Sequence, residues 1–545
     1  MSTKLRIVPL GGLGEIGKNM TVIEYDDDII IVDAGIMFPE NDMLGIDLII
    51  PDYNYVLERK ESVRAVLITH GHEDHVGALG HLMRDIDAPV YGTKLTLGLI
   101  RSKLREFGLA GAVSLRTIGA GDVFHVGPFT VEPFHVAHSI PDGVGFGITT
   151  PIGLIVHTGD YKFDHTPVDG WPPDFAKLAE FSQRGVLCLL ADSTNSEREG
   201  WTPSEAVITD ALDELFRKAE GRIIIATFAS LISRIQQVAN AAHKYGRKLA
   251  LTGRSMLDNS RIARELGYLS IPDSLLVDIK QVGSLPPDQV VILATGSQGE
   301  PSAAIGRLAH GRHARLNIEK GDTVVLSAHP IPGNEEMIYR IVNRLLQKGA
   351  DVLYEEIAQV HVSGHASREE MKLLINLLKP KFFVPVHGEL RHLIAHGKLA
   401  EDMGLSKKNI AVVENGTILE LDQNSLSVGP RIPGGYIFVD GSGVGDVGPA
   451  VMRDRERLAD SGFFVAVASL NEDGTLRARP EMISRGFIYL EDSDDLLEGA
   501  EEAILDVVNT SNGSPAQLSK KIESALSKYF YAETGRRPMV QAVVQ

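Results

Sequence analysis

Val63-Arg64-Ala65-Val66-Leu67-Ile68-Thr69-His70-Gly71-His72-Glu73-Asp74-His75 is the run that decides how this 545-residue chain is read. Residues 63–69 are a largely apolar strand that has to be buried. Residues 70–75 then offer three imidazoles and two carboxylates. Imidazole nitrogen suits Zn²⁺, and a carboxylate adds a harder oxygen ligand. A loop at a strand end can aim such groups at two ions a few ångströms apart. The plain alternative is a solvated polar loop, but ligand-grade side chains so dense after a buried strand argue for metal.

One loop cannot complete a dinuclear site, so further ligands are expected just past other apolar strands. Residues 130–136 lead to His138, residues 154–157 to Asp160, and residues 382–386 to His387. Asp160 is suited to bridge two ions. His157, His165 and His361 are close in sequence and read better as packing or hydrogen-bonding groups.

Composition bounds the function classes. Hydrophobic residues make up 43% and charged residues 23%, which fits globular domains rather than disorder. A net charge of −18 argues against a uniformly basic coat for nucleic acid but leaves room for a local basic channel. The lone Cys188 excludes a disulfide framework and a Cys-rich zinc site. With no leader-like apolar core at the amino terminus and no run of ~18 apolar residues, a cytoplasmic protein without a membrane span is expected. Gly12-Leu13-Gly14-Glu15-Ile16-Gly17-Lys18 spells two nucleotide-loop motifs. Both need a helix next, and a β-hairpin follows instead; Asn19 also stands where a phosphate loop needs a hydroxyl. A tight turn is the better reading.

The organisation follows from the patterns. Residues 1–205 are mostly short strands, with Asp26-Asp27-Asp28 as a hairpin turn. Thr202-Pro203-Ser204-Glu205 predicts a helix start capped by Thr202. Over 206–370, helices alternate with buried strands at 223–227, 248–252, 290–294 and 323–327, a parallel-sheet pattern. Strands return within 371–445, at 382–386 and 411–421. Residues 446–454 read as a linker, and 455–545 as a small α/β domain with helices near 492–510 and 515–529 and a last strand at 540–544. More than two hundred residues separate Asp160 from His387, far more than a loop needs. A whole domain is therefore inserted in the metal-binding one.

His70–His75, His138, Asp160 and the late His387 resemble the metallo-β-lactamase superfamily. The insertion, with Asp192 after a buried strand and His365 in Ser363-Gly364-His365-Ala366-Ser367, is similar to its β-CASP group. Residues 9–19, 68–77, 138–142, 158–164, 191–196, 360–367 and 385–389 resemble the ribonuclease J family within that group. The resemblance implies an α/β fold: an αβ/βα sandwich with an inserted β-CASP domain and a small C-terminal α/β domain. It implies two Zn²⁺ per chain, with Mn²⁺ as the alternative. His70, His72 and His138 would hold one ion, Asp74, His75 and His387 the other, with Asp160 bridging. Asp74 would accept the proton of the attacking water, His365 would stabilise the transition state or protonate the leaving group, and Asp192 would orient its neighbours. Asp33 would orient a metal loop without ligating.

The implied activity is metal-dependent hydrolysis of RNA in processing and decay, 5′-to-3′ from monophosphorylated ends and also internally. The implied partners are RNA and further copies of the chain, as a homodimer or homotetramer through the C-terminal domain. Ser367 and Glu370 have capping-box spacing, so a helix should start just after Ser367. Its free N–H groups, with Ser363, Gly364, His365, Ala366, Ser367 and Ser230, are expected to bind the 5′ phosphate. A thioester or lactone hydrolase on the same metal core is the competing class, and the inserted domain counts against it. A catalytically dead scaffold is the third, and the intact ligand set counts against that.

Overall fold

Strands Leu5–Gly11, Met20–Tyr25 and Asp28–Val32 are apolar on both faces and buried on both, so they require packed layers above and below. The computed structural model describes residues 5–40, 42–331, 333–488, 493–511 and 513–545. Met1–Lys4, part of the stretch read for a leader, lie outside the described residues, as does Asp492 at the edge of an expected helix. The three strands sit inside an eight-stranded sheet, ordered Leu426–Arg431, Thr417–Leu421, Leu5–Gly11, Met20–Tyr25, Asp28–Val32, Val63–Leu67, Val90–Gly92 and Leu115–Thr117. A six-stranded sheet runs Phe382–Val386, Val186–Asp192, Gly153–His157, Val144–Thr150, Phe129–His135 and Phe124–Val126.

The two sheets bury one shared core. Ile7, Ile23, Ile30 and Leu67 from the first pack in one apolar cluster with Val131, Phe146, Ile155, Leu190 and Val384 from the second. The outer face of the second sheet, including Val156, Leu189 and Phe383, is covered by helices Phe175–Arg184, Arg368–Leu378 and Leu390–Asp402. This is the expected αβ/βα sandwich. Its topology sets the site: Gly153–His157, Val186–Asp192 and Phe382–Val386 are mutually parallel. Residues that follow them therefore emerge at one edge.

The inserted domain is a five-stranded, fully parallel sheet, ordered Lys248–Thr252, Val290–Ala294, Ile223–Ala226, Thr323–Leu326 and Asp351–Leu353. Alternate residues feed two clusters: Ile225 and Leu293 on one face, Ile224 and Ile292 on the other. The first cluster also takes in Leu95, Leu99 and Ile140 from the sandwich. At Gly98 of helix Lys94–Glu106, a β-carbon would lie 2.6 Å from Leu266 of helix Arg254–Leu266, so glycine is what lets these helices approach.

By its contacts the chain gathers into two compact units. One comprises residues up to Phe38 and Leu48–Ile437, the other Pro39–Asp47 and Phe438–Gln545. In the second, the three-stranded sheet Glu481–Arg485, Phe463–Ala468, Met539–Val544 packs Phe464 and Ala466 against Ile504, Ile522 and Phe530 of helices Asp494–Thr510 and Pro515–Thr534.

Three expectations need correction. Thr202 caps no helix: its amide donates to Glu370 and its hydroxyl to the His365 carbonyl, and the helix is Ala206–Lys218. The strand expected over 411–421 is only Thr417–Leu421, because the backbone turns at Gly416 (φ 83°). The linker expected at 446–454 holds the first turns of helix Pro449–Ser461, and the second unit already begins at Phe438.

Candidate metal centre

Leu67 ends its strand, and Thr69 and His70 are fixed before the chain turns. The amide and hydroxyl of Thr69 both donate to Asp33, at 2.8 and 2.9 Å. The loop then reverses beneath Gly35, where a β-carbon would lie 1.6 Å from the Asp74 carbonyl oxygen. That carbonyl accepts from the Asn19 backbone at 2.9 Å and from its carboxamide at 3.1 Å. The motif set aside as a nucleotide loop thus ends in a residue that holds the metal loop. Nothing in the periodicity of the sequence marks Asn19; only the fold brings it there.

Two groups of donors converge at the sheet edge. His70, His72 and His138 form the first, with the His72 Nδ1 3.1 Å from His70 Nε2 and 3.2 Å from His138 Nε2. Asp74, His75, Asp160 and His387 form the second. Asp160 Oδ2 lies 3.7, 3.6 and 3.2 Å from Nε2 of His70, His138 and His75, and its Oδ1 lies 3.6 Å from His387 Nε2. Asp160 therefore stands between the groups. All seven expected ligands come together.

The outward nitrogens are held by partners that fix each ring. His70 Nδ1 donates to Thr69 Oγ1 at 3.0 Å, His75 Nδ1 to Asp33 at 2.7 Å, His138 Nδ1 to the Gly364 carbonyl at 2.8 Å, and His387 Nδ1 to Thr194 Oγ1 at 2.7 Å. His72 is turned the other way, with Nε2 3.3 Å from Ser139 Oγ. Each ring so held turns its other nitrogen inward, the pattern of metal-ligating histidine. Asp160 Oδ1 is buried with no hydrogen-bond partner among the described residues. Imidazole nitrogens facing one another around an orphaned carboxylate oxygen fit a divalent cation.

Electrostatics agree. Burial lowers His72 to about 4 and His138 to about 3, so both are neutral and ready to ligate at ordinary pH. Burial also acts on His75 and His387, but carboxylates led by Asp160 outweigh it and raise both. A cation held there would take the place of those protons and so release them.

His365 and Asp192 adjoin the second group. His365 Nδ1 lies 2.7 Å from Asp192 Oδ2, and 4.0 Å from Asp160. Burial alone would lower His365, and the Asp192 carboxylate overrides it and raises its pKa. The other Asp192 oxygen accepts from the Thr194 amide and hydroxyl at 2.9 and 2.8 Å, and that hydroxyl is the partner of His387. One hydrogen-bonded chain thus joins His387 to His365. Asn195 donates to Ser363 Oγ at 2.8 Å and to the His365 carbonyl at 3.0 Å, tying down the 363–365 turn. Sequence reading had no signal for Thr194 or Asn195 beyond their place two and three residues after Asp192.

The expected phosphate pocket is altered. Ser367 and Glu370 do form the capping box. However, the amides of Arg368 and Glu369 are taken by the carbonyls of Arg198 and Gly200, that of Ala366 by Tyr161, and that of Ser367 by Glu370. The helix start has no free N–H groups to offer, and Ala366 and Ser367 are fully buried. Ser230 lies in the turn before helix Ile232–Lys244, and no hydrogen bond ties it to the 363–367 loop. Only Ser363, Gly364 and His365 of the expected set remain beside the metal groups.

Comparison with known proteins gives a consistent result along the chain. The metallo-beta-lactamase superfamily matches residues 13–195, the ribonuclease J beta-CASP domain 220–345, a Zn-dependent metallo-hydrolase RNA specificity domain 349–413, and the ribonuclease J C-terminal domain 450–545. A protein named Ribonuclease J2 from Bacillus subtilis is 44% identical, covering 99% of this chain and 98% of its own length. One named Ribonuclease J from Thermus thermophilus is 46% identical, covering 99% and 95%. A solved structure of a protein of unknown function from Enterococcus faecalis V583 superposes with a TM-score of 0.53 over 77% of this chain and 100% of that one, at 17% identity, a likeness of fold alone.

Proposed function

The chain belongs to the ribonuclease J family, and from that premise we propose that this metal-dependent ribonuclease holds two divalent ions, Zn²⁺ or Mn²⁺, and degrades RNA from its 5′ end. The observation that carries this is the convergence of seven donors from four distant segments, with Asp160 between two groups. Held by these residues, two divalent ions would supply charge neutralisation for the phosphate and a water activated near neutral pH. Asp74 is the acceptor for the water's proton; its carboxylate lies 3.3 Å from His387 Nε2, and both face the site. His365, kept protonated by Asp192, is the donor to the leaving oxygen. Asp192 touches no reacting atom in this scheme; it positions His365.

Ser363 and Gly364 are the groups we assign to a 5′-terminal phosphate, since their amides and the Ser363 O–H are the backbone and hydroxyl donors of the 363–370 stretch left over once its hydrogen bonds are counted. A pocket for one phosphate disfavours a triphosphate by bulk and charge. Internal cleavage does not need the phosphate pocket and should accompany exonuclease action. Homodimers or homotetramers would form through the tail. There Ile483 and Val543 are 46% and 41% exposed on the sheet face opposite the helices, beside half-buried Val465 and Val467. No helix among the described residues is long and apolar enough to cross a membrane, and the cytoplasm is the compartment we propose. A thioester or lactone substrate is not favoured, because the insertion matches an RNA enzyme's domain.

The test is a time course on one RNA labelled at its 5′ or its 3′ end, as monophosphate or triphosphate. Mononucleotide release from the 5′ label, faster for the monophosphate, is expected. Equal rates on the two ends at matched low concentration would remove the pocket, and the 3′ label would still report internal cuts.

A further inference from the structure

The chain has two tryptophans, and both are on the surface: Trp171 is 41% exposed and Trp201 48%. Trp171 spends one face on His135, stacked at 3.9 Å with the rings 5° apart. Trp201 is stacked on nothing in this way. Its ring centroid lies 6.0 Å from the exposed His165, which in turn lies 5.9 Å from Phe175 at 16°. Trp201, His165 and Phe175 make a short aromatic strip. A large indole left open to water costs apolar exposure unless something covers it.

The strip is tied to the catalytic loop. Thr202, the next residue, donates its hydroxyl to the His365 carbonyl at 2.6 Å. On the other side, the carbonyls of Arg198 and Gly200 cap the amides of Arg368 and Glu369. The guanidinium groups of Arg198 and Arg368 form no ion pair or hydrogen bond among the described residues. Nearby acids are largely spoken for: Glu197 pairs with Arg391, and Glu369 with Lys372 at 2.6 Å. Glu199 is the one exposed acid there without a partner among the described residues. Arg198 also contributes, after burial, Arg234, His329 and Lys162, to the cationic field that lowers His361 well below its usual value.

We propose that Trp201, flanked by His165, is a stacking platform for a base of single-stranded RNA, and that Arg198 and Arg368 hold the phosphates on either side of that base. An open aromatic face next to unpaired arginines is the surface that single strands use, because every base has a π face and every link a charge. A peptide or lipid partner would not need the strip to adjoin the loop that carries His365. The proposal rests on the chain acting on RNA.

The test uses the full chain with its metals. In a Trp171→Phe variant Trp201 is the sole indole; a ten-nucleotide RNA should quench its emission on binding, and the same sugar–phosphate strand without bases should not. For Trp201→Ala, KM for the RNA should rise about tenfold while the preference for RNA over the abasic strand disappears, and Trp201→Phe should restore most of both. Arg198→Gln and Arg368→Gln should weaken RNA and abasic strands alike and flatten the salt dependence. Unchanged emission on saturation with RNA, or an unchanged preference in Trp201→Ala, overturns the platform. The emission readout keeps Trp201, so it decides the matter even if the alanine variant folds poorly. Failure of the intact chain to bind any RNA would instead sink the ribonuclease reading.

Discussion

A β-carbon at Gly364 would lie 2.6 Å from the His138 ring, closer than side chains pack. Gly364 also supplies the carbonyl that orients that ring. Gly364→Ala should therefore displace one metal ligand and leave the sheets alone. Metal affinity and initial rate should both fall by about 10- to 100-fold, with the unfolding temperature nearly unchanged; metal titration and rate assays check this. His396 illustrates a different cost. It is fully buried, with Nδ1 3.0 Å from Ser193 Oγ and Nε2 without a partner among the described residues. Burial lowers its pKa to about 4. The unfolded chain takes up this proton at about pH 6.5, before the folded chain does. The stabilisation is therefore complete above about pH 6.5 and is lost as pH falls toward 4, by a few kcal/mol. Thermal unfolding of the apoprotein from pH 7.5 to 4.5 should lose less stability in His396→Gln. At this scale the seven converging donors were legible because each follows an apolar strand. Asn19, Thr194 and Asn195 were not, because they act through contacts that only the fold creates.

Helix Arg368–Leu378 shows what an element owes to one side chain. Glu370 is fully buried, and its carboxylate accepts the amides of Phe163, Thr202 and Ser367 at 2.7, 2.7 and 2.8 Å. Three segments meet on one carboxylate. Glu370→Ala would leave three buried N–H groups without partners, a loss of about 3 kcal/mol or more, and should lower the unfolding temperature by several degrees in a calorimetric scan. An unchanged temperature would mean that water replaces the carboxylate. The capping box was legible from Ser367 and Glu370 alone, since it is a local pattern. That the same glutamate consumes the amide of Thr202 was not, and so the helix expected at 202 begins at Ala206. Local signals locate this helix start; tertiary hydrogen bonds decide that it cannot also be an anion site.

Across the whole molecule, the long interval between Asp160 and His387 made the insertion legible, because a return to the same sheet edge needs few residues. The division at Phe438 was less legible: a linker was expected at 446–454, whereas packing draws 438–461 into the second unit. That unit holds none of the seven donors. Ending the chain after Ile437 should leave metal content per chain unchanged and convert the proteins from oligomers to monomers in light scattering. A full-length chain already monomeric at micromolar concentration would contradict the proposed role of the tail.

We propose that RNA is hydrolysed at a centre built by His70, His72, Asp74, His75, His138, Asp160 and His387. It is tested most directly by elemental analysis of the purified chain, with RNA hydrolysis measured on the same sample before chelation, after chelation and after metal return. About two transition-metal ions per chain are expected, with activity lost when they are removed and restored when they return. Undiminished hydrolysis by a chain stripped of metal would contradict the proposal.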